Sequence, residues 1–442
     1  MTVKLIIGVY FLGILLIGLF SYFRIKDAAD FFVAGKKAGI SAVAGSLLST
    51  ILGGSAILGT IELSRKTGWP ALWFLFCAVF GLLALLPLSK YVKRYGNYTL
   101  PEMLGRFYGK KVENLAAIVI PVAWIGIVAA QVIAAAQIIN GLGIMGYRWG
   151  AVVSGFIFIG YTLAGGQLSI LKTDRIQAFL IISGLAALVF FSLKTSNAAL
   201  FPPLTAKRLF NTSFTIGDLL VLLLTYSVTF VVGPDIYSRI FCAKNELIAK
   251  RSILIVALIL IPVSFALTWL GIFARQSALP GIIGFAGELL PGWAYGLLAA
   301  ALLSAVMSSA DTTLLTSSII LSELIHGNVN HINNMKHTRI FILIIGVLGI
   351  VIALFVSSVI QALLYALTLF SGAFVVPSIF GLLKFKVIKS QVVMTIVTGG
   401  IIALSGKIIH DFAYQTPGNI ITVSSYFFSI LLLIFPLKRT KI

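Results

Sequence analysis

The chain has 442 residues, 59% of them hydrophobic and only 10% charged, with a mean hydropathy of +1.07. Soluble domains carry about 25% charged residues, so this composition excludes a water-soluble enzyme or regulatory domain as the body of the molecule and describes one membrane-embedded unit. A net charge of +20 raises nucleic acid as a partner, and the placement of the charges excludes it. A hydrocarbon core of about 30 Å takes roughly 20 apolar residues of helix. On that rule about thirteen spans follow in chain order, near 3–23, 38–62, 68–89, 113–143, 147–166, 174–193, 215–238, 252–274, 292–325, 340–356, 358–383, 391–409 and 419–436. Alternate connections hold 24 of the 33 Lys and Arg residues, from Arg24 and Lys26 through Arg239 and Lys244 to Lys438 and Lys441. The positive-inside rule then places the N-terminus outside and the C-terminus in the cytoplasm. The basic residues are read as a topology signal facing membrane lipids, and the chain as a multi-pass protein of the cell membrane with no nucleic acid partner.

The first apolar run follows only Lys4, precedes no small-residue cleavage site and reads as a retained helix. The second span is interrupted by Ser49-Thr50-Ile51-Leu52-Gly53-Gly54-Ser55, a small and polar patch at mid-membrane. The seventh carries Thr225-Tyr226-Ser227, Thr229 and Gly233-Pro234-Asp235. Interrupted apolar segments at matching places in two halves mark broken helices around a midplane site. Spans two and seven are five apart, which predicts two five-helix repeats, 38–193 and 215–383. The second is inverted, because each repeat has an odd number of crossings. The helix 3–23 and the pair within 391–436 are peripheral additions to a single 1–442 transporter domain.

The ninth span holds Ser304, Ala305, Ser308, Ser309, Asp311, Thr312 and Thr313. Residues three or four apart share a helix face, so Ser308, Asp311 and Thr312 form an oxygen-rich stripe suited to a hard cation such as Na⁺. Serines in membrane helices also bond back to the i−4 carbonyl, but five hydroxyls and a carboxylate between Ser304 and Thr313 favour a cation site. A charge at mid-bilayer costs at least ~2.5–3.5 kcal/mol, so Asp311 is expected to be paired, protonated or bound to a cation. Asp174 is the other acid placed to come near it, whereas Glu62 and Glu323 lie nearer span ends and read as solvated. Cys77 and Cys242 lack ligand spacing and read as packing residues. No nucleophile–base pair, metal-ligand pattern or phosphate loop is present, so the chain is not read as an enzyme.

Four segments are similar to the sodium:solute symporter family. They are Asp30-Phe31-Phe32-Val33-Ala34-Gly35-Lys36; Tyr161 to Ser169 with Gly165-Gly166, followed by Thr173-Asp174-Arg175-Ile176-Gln177; Gly233 to Lys244; and Ala305 to Ser318. The resemblance implies the inverted-repeat fold of the leucine-transporter type and Na⁺-coupled symport of a small organic solute (an amino acid, carboxylate, vitamin or sugar-like molecule). Na⁺ is then the coupling ion, and no other cofactor is implied. The family's main sodium site falls on Ser49, Leu52, Ala305, Ser308 and Ser309. A second cation or proton site, or the ion exit, falls on Asp174, Asp311 and Thr312. Gln167 and Asp311 depart from the family pattern, and Asp311 leaves proton coupling as an alternative. A carrier without coupling and a symporter-like membrane sensor are further alternatives. Candidate solute contacts are Ser55, Ala56, Gln131, Thr229, Gly233, Gln361 and Tyr365.

Overall fold

The computed structural model describes residues 2–22, 28–96, 98–195, 204–276, 281–326 and 332–435. In a bilayer every main-chain polar group must be satisfied within the protein, which leaves helices as the economical way across. The described residues are correspondingly helical, apart from turns and two isolated bridges, Ala38 with Ala243 and Asn211 with Phe214. We label the helices used below α1 (Thr2–Tyr22), α2 (Ile40–Ile51), α3 (Gly54–Thr67), α4 (Leu72–Tyr95), α5 (Lys110–Gly141) and α6 (Tyr147–Thr195). They continue with α7 (Ile216–Leu222), α8 (Val228–Val232), α9 (Pro234–Cys242), α10 (Glu246–Phe273) and α11 (Gly292–His326). The last four are α12 (Ile332–Phe355), α13 (Val359–Leu382), α14 (Val392–Phe412) and α15 (Gln415–Ile434).

Among the described residues ten helices are long and apolar enough to cross a membrane, or eleven when α2 and α3, bent by 44°, are taken as one broken span. This is a multi-pass membrane protein. The difference from the thirteen expected spans has two sources. The expected spans 147–166 and 174–193 form one helical element of 49 residues, α6, and α1 contributes only the shorter apolar stretch Leu5–Gly18. A straight α6 would be a rod of about 74 Å at ~1.5 Å per residue. It is bent sharply at Gly166, whose φ of 56° and ψ of −172° lie outside the helical region. The bend brings the Tyr161 hydroxyl to 2.8 Å from the Thr173 hydroxyl, twelve residues further on. A side chain at Gly166 would also strike the Phe31 ring, so glycine is required there on two counts.

The centre is α11, whose apolar window is 83% buried, followed by α5 and α13 at 72% each. It packs against α5, α6, α12 and α1. Runs of small residues allow this closeness: Ala299, Ala301 and Ala305 on α11, and Ala130, Ala134 and Ala135 on α5, are almost wholly buried. Phe156, Phe179, Phe190, Ile401 and Phe427 point outward, as a surface wetted by lipid requires. At one end Asp218, in the first turn of α7, accepts hydrogen bonds of 2.8 Å from Gln415 and from Asn419 and so ties α15 to the core.

Two features sharpen the expectation of broken helices. The interruption in the second span is confined to Leu52 and Gly53. The seventh is a π-helical turn over Leu223–Ser227 followed by α8, then extended backbone at Gly233 (φ −68°, ψ 133°) before α9 resumes at Pro234. Pro234 supplies no N–H, so the chain leaves the helix one residue earlier with no lost donor.

Candidate cation and solute site

The break between α2 and α3 frees acceptors. Leu52 N–H closes on Leu48, and both Ala56 and Ile57 turn to Gly53, so among the described residues no main-chain N–H reaches the carbonyls of Ser49, Thr50, Ile51 or Leu52. Free carbonyls in a membrane interior need a partner. Side chains at Gly53 and Gly54 would collide with Ser309, Val306 and Ala134, so these glycines let α11 come against the break. Ser309 then donates to the Thr50 carbonyl at 2.8 Å. Ser308 Oγ lies 2.8 Å from Ser49 Oγ and 2.6 Å from Asp174 Oδ1. Ser49, Leu52, Ala305 and Ser308 are fully buried and Ser309 nearly so. The structure thus brings Ser49, Ser308 and Ser309 together at a junction of α2 and α11, with Leu52 in the break itself and Ala305 one turn before Ser308 on α11. Its donor set is hydroxyl and carbonyl oxygen with an adjacent carboxylate, the ligand type that hard cations take.

The second expected group is divided. Asp174, fully buried on α6, accepts from Ser46 and Ser308 and lies 3.3 Å from the Arg239 guanidinium. Arg239 was counted above among the cytoplasmic connection charges. The structure corrects this: it lies on α9 with no solvent exposure. Its Nε donates to Ser46 at 3.0 Å, its Nη1 to Ser238 at 2.8 Å and its Nη2 to Thr312. A guanidinium therefore sits between Asp174 and Thr312, where the sequence led us to expect a second cation. Asp311 does not join them by hydrogen bonds. It is fully buried and, among the described residues, both its carboxylate oxygens lack a partner. Its charge is still close enough to interact with that of Asp174 and with the hydroxyls of Tyr10 and Tyr161. Glu323, expected to be solvated, is buried and accepts from Thr99 at 2.6 Å.

Four of the expected solute contacts, Ser55, Gln131, Thr229 and Gly233, line one small cavity of about 80 Å³ together with Trp124, Tyr226, Asp235 and the site residue Ser309. Gln131 Nε2 bonds Ser55 Oγ at 2.9 Å, and Trp124 Nε1 donates to Asp235 Oδ2 at 3.0 Å. Ala56 is buried in the α3 wall but does not line the cavity. Gln361 and Tyr365 pair with each other at 3.3 Å on α13, apart from this cavity, Gln361 in a shallower depression beside Lys407 and His410. The sequence reading gave no role to Trp124 or Arg239. The signal for Arg239 was its place four residues after Asp235 inside the third familiar segment. Its helix is anchored by Lys93, which donates to the carbonyls of Ile240, Phe241 and Ala243.

A model of the sodium:solute symporter family matches residues 31–399. The sodium/proline symporter of Haemophilus influenzae is 27% identical over 90% of this chain and 87% of its own length. The sodium/pantothenate symporter of Escherichia coli is 22% identical over 70% of this chain and 69% of its own length. Among solved structures, a substrate-bound, outward-open Na⁺-coupled sialic acid symporter has a similar fold, with a TM-score of 0.78 at 20% identity, covering 100% of this chain and 99% of that one.

Proposed function

The chain belongs to the sodium:solute symporter family, a family of transporters and not of enzymes, and from that premise we propose that it couples entry of one Na⁺ to that of a small organic solute by alternating access. The observation that carries the reading is the contact of Ser308 and Ser309 on α11 with Ser49 and with the Thr50 carbonyl, which the α2–α3 break leaves without a main-chain donor. An ion held by Ser49, Leu52, Ala305, Ser308 and Ser309 ties the broken helix to α11 and fixes the wall of the adjacent solute cavity, since Ser309 belongs to both. Coupling requires the ion to favour the solute-competent state, and a tenfold preference corresponds to about 1.4 kcal/mol.

The sharp bend at Gly166 supports two crossings within α6, and with α1 this gives thirteen spans, N-terminus outside and C-terminus in the cytoplasm. The interruptions at Leu52–Gly53 and Gly233 support repeats over 38–193 and 215–383, with 3–23 and 391–436 peripheral. Arg239 supports a single Na⁺ per cycle, because a fixed cation already bridges Asp174 and Thr312.

The reading is tested by uptake into proteoliposomes with Na⁺ replaced by K⁺. Uptake is expected to fall to background, and undiminished uptake in K⁺ would remove Na⁺ coupling. Asp311 favours a second reading, proton movement alongside Na⁺, since a buried carboxylate with two unpaired oxygens needs a proton or a cation. Asp311→Asn is expected to flatten the pH dependence of uptake or lower the charge moved per solute, read as current in a supported-membrane assay. If neither changes, Asp311 has a structural role alone.

A further inference from the structure

We propose that the transported solute carries a protonated amine, received by Asp235 at the break between α8 and α9. The inference rests on the reading that the cavity beside the Na⁺ site holds the solute. The cavity wall has negative charge and acceptors but, among the described residues, no lysine or arginine. Asp235 Oδ2 is bonded to the Trp124 indole, whereas Oδ1 is shielded from solvent and has no hydrogen-bond partner. The Thr316 hydroxyl stands beside the Asp235 carboxyl as its next donor but, among the described residues, lies beyond hydrogen-bond geometry. The nearby guanidinium, Arg239, gives its hydrogen bonds to Asp174, Ser46, Ser238, Thr50 and Thr312 and none to Asp235, on which it acts only through its charge. One neutral N–H does not offset a carboxylate charge within a membrane span, so the site is short of a positive group.

The remaining polar side chains favour the same class. A hydroxyl has one proton. Thr229 gives its proton to the Tyr226 carbonyl at 2.6 Å, Thr313 to Ser309 at 2.6 Å and Ser309 to Thr50 at 2.8 Å. What these three present to the cavity is lone pairs. Gln131 has a single hydrogen bond, to Ser55, and leaves a further polar atom unpaired. An anionic solute would meet a carboxylate with no basic residue to receive it. A primary or secondary ammonium brings both the missing charge and N–H donors that match these acceptors, while the Ser55 hydroxyl, an acceptor from Gln131, keeps its proton for another part of the solute. A quaternary ammonium brings the charge without the donors. The aromatic faces of Trp124, Tyr226 and Phe230 suit a cation in either case, so it is the N–H donors that separate the two classes.

Thermal stabilisation of the purified full chain tests this, with one library of small amines and amino acids and a size-matched library of carboxylates, polyols and quaternary ammonium compounds, each with and without Na⁺. Compounds such as ethanolamine and L-alanine are expected to stabilise, and lactate, glycerol and choline not to. The strongest amine is then followed in uptake. Asp235→Asn keeps an acceptor for Trp124 and removes the charge; it is expected to raise the amine KM at least tenfold while stabilisation by Na⁺ alone is retained. Asp235→Glu is expected to recover part of the loss. Stabilisation by carboxylates, polyols or choline in preference to every N–H amine overturns the proposal, as does an unchanged amine response in Asp235→Asn. Na⁺-driven uptake confined to solutes without an amine overturns it and leaves symport standing. Amine uptake lost in Asp235→Asn but indifferent to Na⁺ supports it and removes symport.

Discussion

Replacing Ser308 and Ser309 together by alanine is expected to weaken Na⁺ activation of uptake about a hundredfold while the protein still inserts and folds. Each hydroxyl is a candidate ligand at the junction of α2 and α11, and each holds a partner across that junction: Ser308 lies against Ser49 and Asp174, Ser309 against the Thr50 carbonyl. A loss of about tenfold in Na⁺ affinity for each hydroxyl, ~1.4 kcal/mol apiece, puts half-activation of the double variant about a hundredfold higher. Alanine keeps the helix and removes only the oxygens. The matched control is Ser317→Ala on the same helix, whose hydroxyl bonds back to the Thr313 carbonyl at 2.6 Å and is not part of the junction. Half-activation measured from Na⁺ titrations of uptake in liposomes decides the matter. A double variant with the parental Na⁺ curve would remove this junction as the ion site.

The parts of the site that were legible in the sequence are those written as local pattern. The hydroxyl stripe of the ninth span shows in the i, i+3, i+4 spacing of Ser304, Ser308, Asp311 and Thr312, and the break shows in Gly53-Gly54 amid an apolar run. Both are visible because a membrane helix has few reasons to carry either. Membership of the family was likewise read from four short segments, although overall identity to the relatives named above is only 22–27%. The role of Arg239 was not legible. Rules based on hydropathy assign an arginine at the end of a span to the water beyond it. A burial that depends on Asp174, Ser46 and Thr312, from three other helices, leaves no local mark. Asp235 was hidden for a related reason: it was placed after a break, but its unpaired oxygen depends on where Trp124 of α5 points. The continuity of α6 was not legible either. Gly166 turns the chain within a single residue, so the helical pattern runs on through what the polar stretch 167–173 suggested was a loop.

Arg239→Gln is expected to destabilise the protein strongly and, in the fraction that folds, to change its response to Na⁺. Removing one partner of a buried ion pair typically costs about 3–5 kcal/mol, because the remaining charge is left uncompensated. Here that charge is Asp174, with no exposed surface through which water can reach it. Asp174→Asn should cost a similar amount for the mirror reason, since the guanidinium keeps only neutral partners at Ser46, Ser238, Thr50 and Thr312. The combined variant, Asp174→Asn with Arg239→Gln, carries neither charge and should be more stable than either single one. Additive losses in a thermal-melt cycle would show that the two side chains are not coupled. The functional readout separates pairing from place-holding. With the guanidinium gone, Asp174 is left beside Thr312 and the otherwise unpaired Asp311 with no fixed cation among them. A second Na⁺ is then expected to bind, raising the steepness of Na⁺ activation towards two ions per cycle in Arg239→Gln but not in the combined variant. Arg239→Lys keeps a positive charge and should keep the one-ion curve. An Arg239→Gln protein that folds, transports and retains a single-ion Na⁺ dependence would show that Arg239 pairs with Asp174 but does not stand in for an ion.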